Sequence, residues 1–309
     1  MSRPNRLLLV FLDGVGIGPA DAERNAFAAA RLPTLRALLG GRLPVLDHLD
    51  GEGRIAGGRA VLVAADATLG VDGTPQSGTG QTALLTGHNA AELYGRHFGP
   101  WVPTALRDLL ARENLLSRAA EMGARPAFAN AYPIAAVDAD PRIFRRPAAP
   151  PLAARAAGVL TRDLPALLAG EAVASSITNE HWMRASPNEV PPVAPEEAGR
   201  RLARIAAGAD ATLFAHYDTD YSGHRGGLPA AVAALEKVDA FLAGLVEALP
   251  DDALLVVSSD HGNLEDAEAG HTRNPVPVLA VGPGREELAA RVRAITDVAP
   301  SMLALLDGR

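Results

Sequence analysis

Five short apolar runs, each closed by polar residues, constrain this chain more than any other feature: residues 7–12, 127–131, 211–215, 253–257 and 276–281. Continuous apolar character suits strands covered on both faces, as in a parallel or mixed sheet held between helices. Helical patterns lie between the runs, at 25–39, 104–122, 195–207, 229–249 and 295–306. The third of these opens with Pro195, then Glu196 and Glu197, acids placed where the positive end of the helix dipole favours them. Strands alternating with helices predict an α/β fold, a three-layer α/β/α core around a mostly parallel sheet.

The middle of the chain has a different texture. Arg142, Arg145 and Arg146 are followed by Pro147, Pro150 and Pro151, and residues 186–195 hold four prolines. This stretch is expected to form a small inserted cap over residues 89–209, with the core built from 1–88 and 210–309. A chain of 309 residues is long enough for such an arrangement and for a sizeable core.

Composition removes several function classes. With 36 acidic against 29 basic residues the net charge is −7, which argues against a protein that coats nucleic acid. The absence of cysteine excludes disulfides, thiolate metal sites and a cysteine nucleophile, and fits a reducing compartment. Arg3 and Arg6 precede an apolar run of six residues that Asp13 ends, too short for a signal peptide. No stretch is long and apolar enough to span a membrane. A soluble, cytoplasmic protein is expected, with no nucleic-acid or membrane partner. Nothing in the sequence points to an oligomeric state.

Four clusters carry potential chemistry, three of them where an expected strand ends. Asp13-Gly14-Val15-Gly16 follows the first strand and would put a carboxylate at the rim of the sheet, where ligands of α/β folds bind. Ser77-Gly78-Thr79-Gly80-Gln81 leads into an apparent helix start, a place to hold a phosphate and present a hydroxyl to it. Asp220 and His224 are four residues apart in a third cluster, and this mixed oxygen and nitrogen set suits Zn²⁺ or Mn²⁺ better than Ca²⁺. The fourth is Asp260-His261-Gly262-Asn263, followed ten residues later by His271. Singly, each has a plainer reading: an Asp-Gly turn, a helix cap at Ser77 or Thr79, a buried histidine, a solvated aspartate. Together they are hard to read as surface polarity. His48, His88, His181 and His216 sit in no such cluster and are read as ordinary surface or core residues.

Taken in order, FLDGVGIG, SGTGQTALLTG, DTDYSGH, SSDHGN and HTRNPVPV resemble the alkaline phosphatase superfamily, and within it the cofactor-independent phosphoglycerate mutase and phosphopentomutase branch. The tail ITDVAPSMLALLDG is similar to the closing helix of that family. The likeness covers roughly the first ninety and last hundred residues and none of the middle. It implies two divalent metal ions, Mn²⁺ or Zn²⁺. Asp220, His224 and His271 match the ligands of one. Asp13, Asp260 and His261 match those of the other, and Ser77 matches the residue that is phosphorylated and also touches metal. Two departures stand out: Gln81 occupies a place where the mutase branch usually has histidine, and the middle holds no lysine to match the basic grip of the large mutase caps.

The resemblance therefore implies phosphoryl transfer on a small phosphorylated metabolite through a phosphoserine. A phosphomonoesterase or phosphodiesterase with the same metals is the alternative, and a catalytically silent, metal-stabilised binding protein a third. Arg96, His97, Arg142, Arg145 and Arg146 are the candidates for gripping substrate anions, since the planar guanidinium pairs with phosphate or carboxylate at two points. Their plain reading is solvated charge on a proline-rich surface.

Overall fold

A computed structural model describes residues 3–306. Seven strands form one sheet: β1 (Arg6–Leu12), β2 (Arg54–Ile55), β3 (Ala60–Ala65), β4 (Pro126–Phe128), β5 (Ala211–His216), β6 (Ala253–Ser258) and β7 (Val276–Val281). Their spatial order is β2-β3-β7-β6-β1-β5-β4. The strands β6, β1, β5 and β4 run parallel, while β7 is antiparallel to both β6 and β3, and β2 is antiparallel to β3. The expected α/β architecture is present, in a mixed sheet in which β2 and β7 run against the other five strands. Neither β2 nor β3 is among the strands read from the sequence.

Alternate residues of each strand point to opposite faces, and both faces are covered. Leu7, Leu9 and Phe11 of β1 pack with Leu213, Leu254 and Val256 in one core. Leu8, Val10 and Leu12 pack with Phe214, Leu255 and Val257 in the other. This is why the runs look uniformly apolar: neither side of these strands meets water.

Two expected helices are each divided by a second helix start. The pattern at 25–39 becomes Ala26–Ala29 and Pro33–Leu38, with Pro33 in the first turn where its missing N–H costs nothing. The pattern at 104–122 becomes Thr104–Glu113 and Leu115–Glu121, because the Asn114 side chain accepts from the amides of Leu116 and Ser117. The helix at 195 spans Pro195–Ala207 as expected, and the next long one spans Gly227–Ala248. The closing pattern forms Val298–Leu306 after a turn of 3-10 helix; the last two residues of the motif ending in Asp307 and Gly308 lie outside the described residues.

Residues 89–209 do not simply leave the sheet as a cap. β4 pairs with β5, and Leu106, Leu110, Leu115, Leu116, Ala149 and Ala153 bury their apolar stripes in the first core. What stands off from the two main cores is a small cluster of Ala131, Leu167, Ala172, Ala174 and Val190. Among the described residues no helix is long and apolar enough to cross a membrane.

Candidate metal centre

Topology alone brings the candidate residues to one edge of the sheet. The parallel neighbours β5, β1 and β6 end side by side, so the turns after them, carrying Asp220, Asp13 and Asp260, emerge together. Because β7 runs against β6, with Ser258 opposite Val278, the segment entering β7 starts at that same edge and brings His271. Because β3 runs against β7, with Ala65 opposite Val276, the chain leaving β3 also emerges there and leads to Ser77. Gly14 makes the close approach possible. Its φ of +68° is left-handed, and a Cβ there would come within 2.8 Å of the Asp220 Cβ.

Two clusters of ligand-type atoms result. In the first, Asp220 and His224 share a face of the helix Asp218–Arg225, four residues apart. His224 Nε2 lies 2.9 Å from His271 Nε2, and Asp220 Oδ1 lies 3.5 and 3.4 Å from the two nitrogens. In the second, His261 Nε2 lies 3.3 Å from Asp13 Oδ1 and 3.7 Å from Asp260 Oδ2. The imidazoles of His261 and His271 stack across the gap with centroids 3.9 Å apart. Ser77 begins the helix Ser77–Thr86, and its Oγ is 3.0 Å from His261 Nε2.

The donor sets fit divalent cations. Ligand atoms bound at about 2.0–2.1 Å in a tetrahedron sit about 3.3 Å from one another, close to the spacings in both clusters. In the second cluster Asp13 Oδ1 and Asp260 Oδ2 are buried without a hydrogen-bond partner, a costly condition for carboxylate oxygens unless something positive meets them. Outer partners orient the ligands, as metal sites require. The His271 Nδ1 is 3.1 Å from the Pro75 carbonyl, and as its donor leaves Nε2 as the lone-pair nitrogen. Gln81 donates from Nε2 to Asp13 Oδ2 at 3.1 Å while its Oε1 accepts from the Ala149 amide. The Gln81 amide thus holds Asp13 in place. Asn263 donates to Asp220 Oδ1 at 2.7 Å, and the Thr219 hydroxyl donates to the Asp13 carbonyl.

Without cations the site's charges oppose one another. Burial raises the Asp260 carboxyl well above the usual range, and the Asp13 carboxylate raises it further. Burial works to lower the His261 imidazolium, but Asp260 and Asp13 outweigh it and push its pKa up to about 10. Burial also works to raise Asp220, yet His271, His261 and Asn263 hold it down at about 2. The raised His261 value fixes a sign. Its contribution to metal-free stability is complete below about pH 6.5 and is lost as pH rises through about 10. Thermal melts of chelator-treated protein are expected to fall across that window, while apparent Mn²⁺ affinity rises because the ligand must shed its proton. A flat melting profile from pH 6.5 to 10 would contradict this.

Two neighbouring cavities open on the centre. One, of about 530 Å³, is lined by Thr74, Gln76, Ser77, Asp220, His224 and His271, among others. The other, of about 420 Å³, shares Thr74, Gln76 and Gly99 with it and adds Arg96 and His97. Arg142, Arg145 and Arg146 are not among the residues lining either. Arg142 pairs with Asp140, and Arg146 lies over the Trp101 ring with its guanidinium carbon 4.4 Å from the centroid. Of the five anion-gripping candidates, Arg96 and His97 line the cavity next to the centre and the other three line neither cavity.

Parts of the chain, and its fold, are similar to known proteins. Residues 192–307 match the family described as the Metalloenzyme superfamily. The 2,3-bisphosphoglycerate-independent phosphoglycerate mutase of Paracoccus denitrificans is 41% identical over 122 residues, 37% of this chain and 24% of the mutase. The match thus takes in about a quarter of that relative's length. A protein of Pyrococcus horikoshii superposes with a TM-score of 0.57 at 14% identity, over 99% of this chain and 98% of that one. The alkaline phosphatase of the Antarctic bacterium TAB5 gives 0.52 at 13% identity, over 99% and 98%. The fold is thus similar to that of alkaline phosphatase, and residues 192–307 match the Metalloenzyme superfamily. The sequence likeness, over 122 residues, runs to 2,3-bisphosphoglycerate-independent phosphoglycerate mutases.

Proposed function

We propose that this chain is a divalent-metal-dependent phosphoryl-transfer enzyme, acting on a small phosphorylated metabolite through a phosphoserine at Ser77. The observation that carries the reading is the assembly of two three-residue ligand clusters beside one hydroxyl at a helix N-terminus. Asp220, His224 and His271 would hold one ion; Asp13, Asp260 and His261, with the Ser77 oxygen, would hold the other. Bound Mn²⁺ or Zn²⁺ supplies positive charge that favours the serine alkoxide and neutralises the oxygens of a phosphate ester.

The protein's own groups do the rest. Ser77 sits at the positive end of its helix, which favours an anion there. Asp13 is held by Gln81, so the nucleophile faces a fixed carboxylate rather than a mobile one. Arg96 and His97 flank the adjoining cavity, where a second anionic group of the substrate would lie. Attack of the Ser77 oxygen on phosphorus would form the phosphoserine and expel the alcohol.

The acceptor in the second step divides two outcomes. A hydroxyl of the retained alcohol gives a mutase, in line with the sequence likeness. Water gives a phosphatase. The hydrolytic reading has support of its own: the His224 side chain is 43% exposed, so solvent reaches one face of the site. The cysteine-free composition accords with a cytoplasmic setting.

The test is incubation of metal-loaded protein with labelled phosphoglycerate or pentose phosphate. Label on an isomer supports transfer, and free phosphate supports hydrolysis. No turnover of a broad panel of phosphate esters would favour the silent, metal-stabilised alternative.

A further inference from the structure

Glu265 belongs to none of the ligand clusters, yet it is 1% exposed and its acceptor capacity goes to residues next to them in sequence. Its Oε2 accepts from the Gly16 amide at 3.0 Å and from the Asn263 amide at 2.8 Å. Its Oε1 accepts from the Thr272 hydroxyl and from Asn274 Nδ2, the latter at 3.2 Å. A carboxylate offers about four lone-pair positions, and four donors meet them here. Among the described residues no basic side chain forms an ion pair with it.

The four donors come from three separate segments. Gly16 follows Asp13, Asn263 follows Asp260 and His261, and Thr272 and Asn274 follow His271. Asn263 extends the reach, because its side chain donates to Asp220 Oδ1 at 2.7 Å. One carboxylate is therefore bonded directly to three of the segments that carry ligand-type residues, and reaches the helix of Asp220 and His224 through Asn263. The backbone has been cleared for it as well. A Cβ at either Gly16 or Gly262 would collide with the Glu265 carboxylate.

We propose that Glu265 is the positioning residue of the metal centre, holding the loops of Asp13, Asp260–His261 and His271 in the register that lets their ligand atoms converge. The inference rests on the two-metal reading given above and adds a residue to it. Burying a carboxylate without a cation is costly, and hydrogen bonds to a charged group are roughly twice as strong as neutral ones. A neutral side chain would fill the same space, but an amide oxygen and an amide N–H cannot both accept. A glutamine here would turn a donor towards either the Gly16 and Asn263 amides or the Thr272 and Asn274 donors.

The test is calorimetric titration of the chelator-treated full chain with Mn²⁺ and with Zn²⁺ alone, comparing wild type with Glu265→Gln, Glu265→Ala and Thr272→Val. Thermal melts of each metal-free protein are recorded alongside. Outer partners of metal ligands change affinity by about 10- to 100-fold. Glu265→Gln is expected to weaken both ions about tenfold, alongside a drop of a few degrees in its metal-free melting temperature from the buried donors it leaves unpaired. Thr272→Val, which removes one donor of four, is expected to weaken them a few-fold. Glu265→Gln binding both ions within twofold of wild type overturns the proposal, whether or not Glu265→Ala folds. So does a Glu265→Gln that melts earlier but binds as tightly, since that is a merely structural role. Wild-type protein that takes up neither ion overturns the metal-centre reading itself, and this proposal with it.

Discussion

Ser77→Ala is expected to lower kcat on a generic phosphate ester by at least about a thousandfold, with the fold intact. The size follows from the chemistry: without the hydroxyl no phosphoserine can form, and removing a covalent nucleophile costs far more than removing a binding group. What remains would be direct attack by water at a site built for another path. The stability cost is small by comparison. The Ser77 hydroxyl has one hydrogen-bonded contact, with His261, worth about 1 kcal/mol, and alanine suits a helix. Metal affinity is expected to fall only modestly, since three protein ligands remain in each cluster. Steady-state assays with matched metal loading check this. A variant keeping more than a tenth of wild-type turnover would refute the covalent mechanism.

Asp260→Asn is expected to separate metal binding from metal-free stability. Asp260 is fully buried, with Oδ2 unpartnered and its carboxyl raised by burial and by Asp13. Removing the charge takes one like-charged group from beside Asp13 and the partner that most holds His261 protonated. The metal-free variant should therefore melt at or above the wild-type temperature at pH 9, and the decline between pH 6.5 and 10 should shrink. The same change removes one carboxylate of the proposed ligand set. Outer partners alone are worth about 10- to 100-fold in affinity, so one of the two ions should weaken by about a hundredfold or more. Calorimetry and melts on one sample give both numbers. Lower metal-free stability together with unchanged binding would contradict the assignment.

The sequence exposed those parts of the fold whose physical signal is local. β1, β5, β6 and β7 are buried on both faces, so their apolar runs could be read directly. β3 carries the same kind of run, Ala60–Ala65, but lies between glycine-rich stretches with no helix of its own to mark a βαβ unit. Its antiparallel pairing with β7 depends on tertiary placement that spacing cannot reveal. The middle misled for a related reason. Its prolines and arginines are local features, whereas the stripe of Leu106 and Leu110 that returns it to the core is a helical periodicity diluted by Arg107 and Asp108.

The site divides in the same way. Asp13, Asp220, His224, Asp260, His261 and His271 are ligand-type residues in glycine-bearing segments, and the fold gathers them into two clusters with Ser77 against the second. Gln81 was visible only as a departure, and its bond to Asp13 needs the helix Ser77–Thr86 to be docked before it means anything. Glu265 had a faint signal, an acid two residues beyond Asn263, but its importance lies in donors drawn from positions 16 and 274. Arg142, Arg145 and Arg146 are the opposite case. Charge density along the sequence gives no direction in space: Arg142 pairs with Asp140, Arg146 lies over the Trp101 ring, and the exposed Arg145 lines neither cavity beside the centre.

Crystals of the full chain soaked in Mn²⁺, with diffraction recorded at an energy where manganese scatters anomalously, test the central claim most directly. Two anomalous peaks are expected, one enclosed by Asp220, His224 and His271, the other by Asp13, Asp260 and His261 with the Ser77 oxygen against it. Ions bound elsewhere on the surface, with both of these sets bare at saturating Mn²⁺, would contradict the account.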